Sequence, residues 1–184
     1  MRPRDIPNLI TGLRILLVAP VVFAILSERF EWALGLFIVA GASDGVDGFL
    51  AKYFSWQSRL GSLLDPIADK LLLVGCFIAS WIVGLLPAWL VIAVVARDLV
   101  IVGGATAYHM LVGPFEGRPL LASKLNTLMQ LVLLLVVLLD RTLFPLSPAL
   151  IWTLSVATLA TTLGSGLMYV YRWGRSYRHR RPRG

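Results

Sequence analysis

Four aspartates carry the first chemical signal in this sequence. Asp44 and Asp47 stand three residues apart, and Asp65 and Asp69 stand four apart, so each pair falls on one side of a helix. Carboxylates gathered this way repel one another unless cationic charge sits among them. An oxygen-only donor set suits a hard cation such as Mg²⁺, Mn²⁺ or Ca²⁺. No zinc pattern competes: His109 and His179 are isolated, and the single cysteine, Cys76, lies in an apolar run. Gly41, Gly45, Gly48 and Ala51 line the stretch that holds the first pair. Small residues there allow either close helix packing or close approach of a ligand. Gly48 and Ala51, interleaved with the aspartates, read as a ligand wall.

The elements that must position these groups are membrane helices. The chain has 184 residues, 58% hydrophobic and 15% charged, well outside the usual balance of a soluble domain. Apolar runs occur at 9–26, 32–51, 60–83, 86–112, 120–139 and 149–171. Each is near the roughly 20 residues needed to cross the hydrocarbon. The expected fold is therefore an all-α integral membrane protein with six transmembrane helices. A short interfacial segment, Asp5-Ile6-Pro7-Asn8, leads in, and a basic cytoplasmic tail closes the chain at 172–184. Nothing is left over for a soluble domain, so residues 1–184 read as a single membrane domain.

Charge sets the orientation. The chain has 17 basic and 10 acidic residues, a net charge of +7. Arg2, Arg4, Lys52, Arg59, Arg118 and the tail arginines share one side of a six-span topology, against Arg29 and Arg141 on the other. Basic flanks mark the cytoplasmic side, so both termini are expected there. The basic excess then reads as contact with anionic headgroups, with no nucleic-acid partner. On this topology Arg14, Asp44, Asp47, Asp65, Asp69, Lys70, Lys124 and Asn126 fall in the cytoplasmic half, with Arg97 and Asp98 nearer mid-depth. Intramembrane charge is expensive and points to function. Scattered ion pairs tying helices together would not all choose one leaflet. The pattern predicts a polar cavity open to the cytoplasm. The start of the chain lacks the arginine- and serine-rich pattern of a transit sequence, which predicts a bacterial cytoplasmic (inner) membrane.

The run Asp44-Gly45-Val46-Asp47-Gly48-Phe49-Leu50-Ala51-Lys52, then eight residues, then Gly61, Asp65 and Asp69, resembles a family signature. It is that of the CDP-alcohol phosphotransferases, D-x2-D-G-x2-A-R-x8-G-x3-D-x3-D. Lys52 replaces the family's arginine, keeping the charge and losing the planar fork. Pro7-Asn8, Thr11 and Arg14 resemble the amino-terminal pattern of the phosphatidyltransferase branch, and Ser123-Lys124-Leu125-Asn126-Thr127 resembles its fifth-span start.

The resemblance implies a homodimer of six-helix chains. It implies two divalent cations, Mg²⁺ or Mn²⁺, held by Asp44, Asp47 and Asp65, with Asp69 as general base beside the second and able to touch it. The implied substrate is CDP-diacylglycerol, walled by Gly48, Ala51 and Gly61, with Lys52 near a phosphate and Asn8 and Thr11 toward the nucleotide. The implied reaction moves the phosphatidyl group to an acceptor alcohol and releases CMP.

Acceptor contacts are expected from Lys124, Asn126, Arg118 and Arg97. Arg97 with Asp98 reads either as an acceptor-side pair or as an ion pair locking helices. Family members that use glycerol-3-phosphate commonly carry a second lysine where Asn126 stands. One cation fewer suits a phosphodiester acceptor, phosphatidylglycerol, and the S-K-x-N-T form resembles cardiolipin synthases. Glycerol-3-phosphate is the alternative. A cation-coupled transporter is a remote one, since it would place carboxylates at mid-bilayer and show a repeat.

Overall fold

A computed structural model of the chain describes residues 6–53, 61–112 and 121–180, with side chains over 11–43, 67–104, 106 and 121–172. Among the described residues six helices follow one another: α1 (Ile6–Leu26), α2 (Phe30–Tyr53), α3 (Gly61–Ile82), α4 (Ala88–Val112), α5 (Leu121–Thr142) and α6 (Pro148–Arg180). Each predicted span falls on one of them, and no strand occurs among the described residues. Among the described residues, two helical segments, Leu121–Thr142 and Pro148–Arg172, are long and apolar enough to cross a membrane, while Thr11–Leu26 and Phe30–Ser43 are shorter apolar stretches.

Both ends of the chain are helical beyond the apolar stretches. Ile6, Pro7 and Asn8 are the first turn of α1. Proline is tolerated there, because the first turn's N–H groups have no helical acceptor. The apolar segment of α6 ends at Arg172, and the helix continues unbroken through the basic residues to Arg180.

The helix ends follow from local chemistry. α1 stops at Glu28, whose φ of 56° is left-handed. Arg29 N–H donates to Ala24 C=O (2.9 Å) and Glu28 N–H to Ile25 C=O (3.0 Å). That is the Schellman pattern, which favours glycine at the left-handed position. α3 closes the same way at Gly84 (φ 75°). There Leu85 N–H donates to Ser80 C=O (2.8 Å) and Gly84 N–H to Trp81 C=O (2.9 Å). Between α5 and α6, the Asp140 carboxylate accepts from Leu146 N–H at 2.7 Å. Pro148 then opens α6 at the position where a missing N–H costs nothing.

A side chain in the left-handed region costs roughly 1–2 kcal/mol, part of which glycine returns as backbone entropy. Glu28→Gly is therefore expected to stabilise the protein by about 0.5–1 kcal/mol, raising Tm by about 2 °C. Thermal unfolding in detergent measures this, and an unchanged or lower Tm would show that Glu28 is not strained.

The described chain groups into two compact units. One comprises Met1–Leu86 with Leu134–Leu146, the other Pro87–Leu133 with Ser147–Gly184. In the first, α1 packs against both α2 and α3. Its core includes Val21, Ile25, Phe37, Leu73 and Phe77, with the free Cys76 buried among them. Gly75 makes the α1–α3 contact close: a Cβ there would stand 3.0 Å from a Val22 methyl and 3.7 Å from one of Val18. In the second unit, α4 packs against α6. Trp89 and Trp152 meet edge to face at 5.8 Å near the starts of these helices. Arg97 meets Ser165 further along both, so α4 and α6 run parallel. Large apolar side chains stand outward on every helix, among them Leu16, Trp32, Leu71, Leu99, Leu128 and Leu167.

Candidate active site

The carboxylate signature lies on α2 and α3. Asp44, Asp47, Gly48, Ala51 and Lys52 are on the continuous helix α2. Gly61 opens α3, which also carries Asp65 and Asp69. Helix continuity keeps each aspartate pair on one side of its helix axis. The side chains of Asp44, Asp47, Lys52 and Asp65, and that of Asn8 on α1, lie outside the described ones, as does Arg118 altogether. Among the described residues no group of three potential ligands gathers.

Asp69 is described in full. Arg14 Nη1 donates to its Oδ1 at 2.6 Å. The pair is asymmetric: the Arg14 side chain is 0% exposed and that of Asp69 is 42% exposed. Sequence reasoning noted Arg14 as a charge inside the first span but gave it no partner. The partner is 55 residues away on α3, and only the α1–α3 contact identifies it. The available signal was the cost of a buried guanidinium, which demands an anion nearby. Thr11, one turn before Arg14, is likewise fully buried, so it belongs to the packed face of α1.

The second unit holds another polar cluster. Arg97 is buried, and each guanidinium nitrogen has a partner. Nε donates to Ser165 Oγ (3.0 Å), Nη1 to Asp98 Oδ1 (2.7 Å) and Nη2 to Ser123 Oγ (2.8 Å). Gly166 faces this side chain: a Cβ there would lie 3.4 Å from Arg97 Cγ, an ordinary contact. The Arg97–Asp98 ion pair lies within α4, and the Ser123 and Ser165 hydroxyls extend the bonds of Arg97 to α5 and α6. One turn deeper along α5, Asn126 is fully buried. Its Oδ1 accepts from Thr162 Oγ1 (2.8 Å) and Thr161 Oγ1 (3.1 Å). Its Nδ2, and both polar atoms of Gln130 a turn further on, are buried without a hydrogen-bond partner among the described residues. Lys124, in contrast, is exposed. Ser155, Thr158, Thr162 and Ser165 form a buried polar stripe on α6. Such stripes join helices where apolar contact alone provides little drive.

Residues 4–164 fit the sequence model of the CDP-alcohol phosphatidyltransferase family. The chain belongs to that family. Among its relatives, the CMP-forming cardiolipin synthase of Rattus norvegicus is 33% identical over 94% of this chain and 62% of its own length. The chloroplastic CDP-diacylglycerol–glycerol-3-phosphate 3-phosphatidyltransferase 1 of Oryza sativa subsp. japonica is also 33% identical, over 90% of this chain and 57% of its own. The CDP-diacylglycerol–glycerol-3-phosphate 3-phosphatidyltransferase of Bacillus subtilis (strain 168) is 34% identical over 54% of this chain and 59% of its own. The chain thus spans less than two thirds of the length of these relatives. Phosphatidyltransferases with two different acceptors resemble it to the same degree, so overall identity does not choose between them.

Proposed function

We propose that this phosphatidyltransferase family member transfers the phosphatidyl group of CDP-diacylglycerol to phosphatidylglycerol, forming cardiolipin and CMP. Its six helices cross the cytoplasmic membrane of a bacterium, with both termini and the site on the cytoplasmic side. The outward-facing leucines and tryptophans on all six helices support the membrane reading. The observation that carries the chemistry is the partly exposed carboxylate of Asp69, at the last position of the signature, held by Arg14 at 2.6 Å.

The donor set fits hard divalent cations: carboxylates on two helices, with the one cysteine buried among apolar residues. Asp44, Asp47 and Asp65 would hold two such ions, Mg²⁺ or Mn²⁺, which when bound neutralise diphosphate charge. Lys52 adds positive charge beside a phosphate. Gly48, Ala51 and Gly61 leave room for the nucleotide end, with Asn8 as a hydrogen-bonding partner. Asp69 takes the proton of the acceptor hydroxyl as its oxygen attacks the phosphorus attached to diacylglycerol. The bond to CMP breaks, and CMP departs with the displaced oxygen.

The choice of acceptor rests on Asn126. Its carbonyl is committed to Thr161 and Thr162, and it offers a neutral NH2 group where a glycerol-3-phosphate enzyme commonly carries a second lysine. A phosphodiester with one charge needs one cation fewer than a phosphomonoester. Incubating the purified protein with CDP-diacylglycerol, Mg²⁺ or Mn²⁺, and each acceptor separately tests the proposal. CMP release and cardiolipin with phosphatidylglycerol alone are expected. Release with glycerol-3-phosphate alone would make the product phosphatidylglycerophosphate and overturn the acceptor assignment. Asn126→Lys places an ammonium beside two threonine hydroxyls that can accept from it. The variant is expected to shift the ratio of kcat/KM values toward glycerol-3-phosphate by about tenfold, corresponding to about 1.4 kcal/mol of differential binding. An unchanged ratio would remove Asn126 from acceptor choice.

A further inference from the structure

Among the described residues Arg14 is the largest fully buried side chain, and it carries a charge. A buried guanidinium is costly, and an apolar side chain of similar volume usually packs as well or better. Packing of α1 against α3 therefore does not explain an arginine here. An ion pair that served only to tie these helices has no need of an accessible carboxylate. This pair is shielded on one side alone, with Asp69 42% exposed and Arg14 at 0%. The arginine binds the carboxylate from inside the helix packing, and the Asp69 side chain stays partly accessible.

The register that makes this grip possible is set nearby. α1 and α3 run parallel here, with Arg14 opposite Asp69 and Val18 and Val22 opposite Gly75. Gly75 lets the helices approach closely enough for the guanidinium of one to reach the carboxylate of the other.

We propose that Arg14 is a positioning residue for Asp69. By binding Oδ1 from the buried side, it restricts the rotamers of the carboxylate and holds its accessible side toward the acceptor hydroxyl. The inference rests on the reading of Asp69 as the general base and adds what aims that base. General-base transfer requires hydrogen-bond reach, and a misplacement of about 1 Å can cost a hundredfold in rate.

The test uses the full-length protein in detergent–lipid micelles, with kcat and KM for CDP-diacylglycerol normalised to folded protein by size-exclusion chromatography. Arg14→Met is expected to lower kcat about a hundredfold while KM for CDP-diacylglycerol changes less than about threefold. Arg14→Lys, which keeps the charge, is expected to recover about tenfold of that loss. In the Asp69→Asn background, Arg14→Met should lower the residual rate no further, since the two act as one unit. A purely structural role would lower the yield of folded Arg14→Met and leave kcat unchanged, overturning the proposal. A raised KM with normal kcat would also overturn it, by making Arg14 a substrate contact. If Arg14→Met does not fold, Arg14→Lys and Arg14→Gln carry the same comparison. Asp69→Asn retaining full turnover would be a separate result, removing the general-base reading itself.

Discussion

Asp69→Asn is expected to reduce CMP release by about 10²–10⁴-fold while binding of CDP-diacylglycerol persists. The substitution is nearly isosteric and removes the group proposed to accept the proton. A positioned general base contributes a factor of that size. It also leaves Arg14 buried without its 2.6 Å anionic partner, so some loss of stability accompanies the loss of rate. The measurement is therefore made on folded protein, with Mn²⁺-dependent nucleotide binding as the control. Turnover within tenfold of the parent would show that the proton leaves by another route. Loss of binding together with turnover would assign Asp69 to the metal set instead of the base.

The second large effect is expected at Asp44 and Asp65. Asp44→Asn and Asp65→Asn each remove one anionic oxygen donor from the proposed cation sites, on α2 and α3 respectively. A hard cation gains little from the neutral amide that replaces it. Disturbing groups that merely support metal ligands already costs 10–100-fold in affinity, so loss of a direct ligand should cost at least about a hundredfold. Titrating the purified variants with Mn²⁺, followed by electron paramagnetic resonance, gives the affinity directly. Binding of CDP-diacylglycerol should fall in parallel, because its diphosphate loses the charge that offsets its own. Unaltered Mn²⁺ affinity in both variants would dismantle the proposed two-cation arrangement. The contrast with Asp69→Asn is informative: one class of variant loses binding, the other loses chemistry after binding.

These expectations differ in origin. The spacing of Asp44, Asp47, Asp65 and Asp69 is readable because helical periodicity is local: residues three or four apart share a face whatever surrounds them. The same holds for the six apolar runs, each of which became a helix. The continuation of α6 to Arg180 was not readable from composition, because a change from apolar to basic residues marks a change of surroundings and carries no helix-breaking signal. Glu28 escaped notice for the opposite reason. Its left-handed conformation is imposed by the hydrogen bonds that end α1, against the preference of its own side chain.

Asn126 shows where the boundary runs. The sequence showed a neutral side chain, and the family resemblance set it against the second lysine common in members that use glycerol-3-phosphate. That its carbonyl is bound by Thr161 and Thr162 depends on how α5 meets α6. Arg97 is similar. Its neighbour Asp98 suggested a pair, but the hydroxyls of Ser123 and Ser165 that complete its coordination come from 26 and 68 residues away.

By itself, then, the sequence determined the helical framework, the spacing of the four aspartates and the family, because each depends on residue type at short, regular spacing. Only the tertiary structure decided which buried charges meet. Arg14 reaches Asp69 because Gly75 lets α1 and α3 approach in one register, and a pairing across 55 residues depends on helix packing that no local pattern encodes.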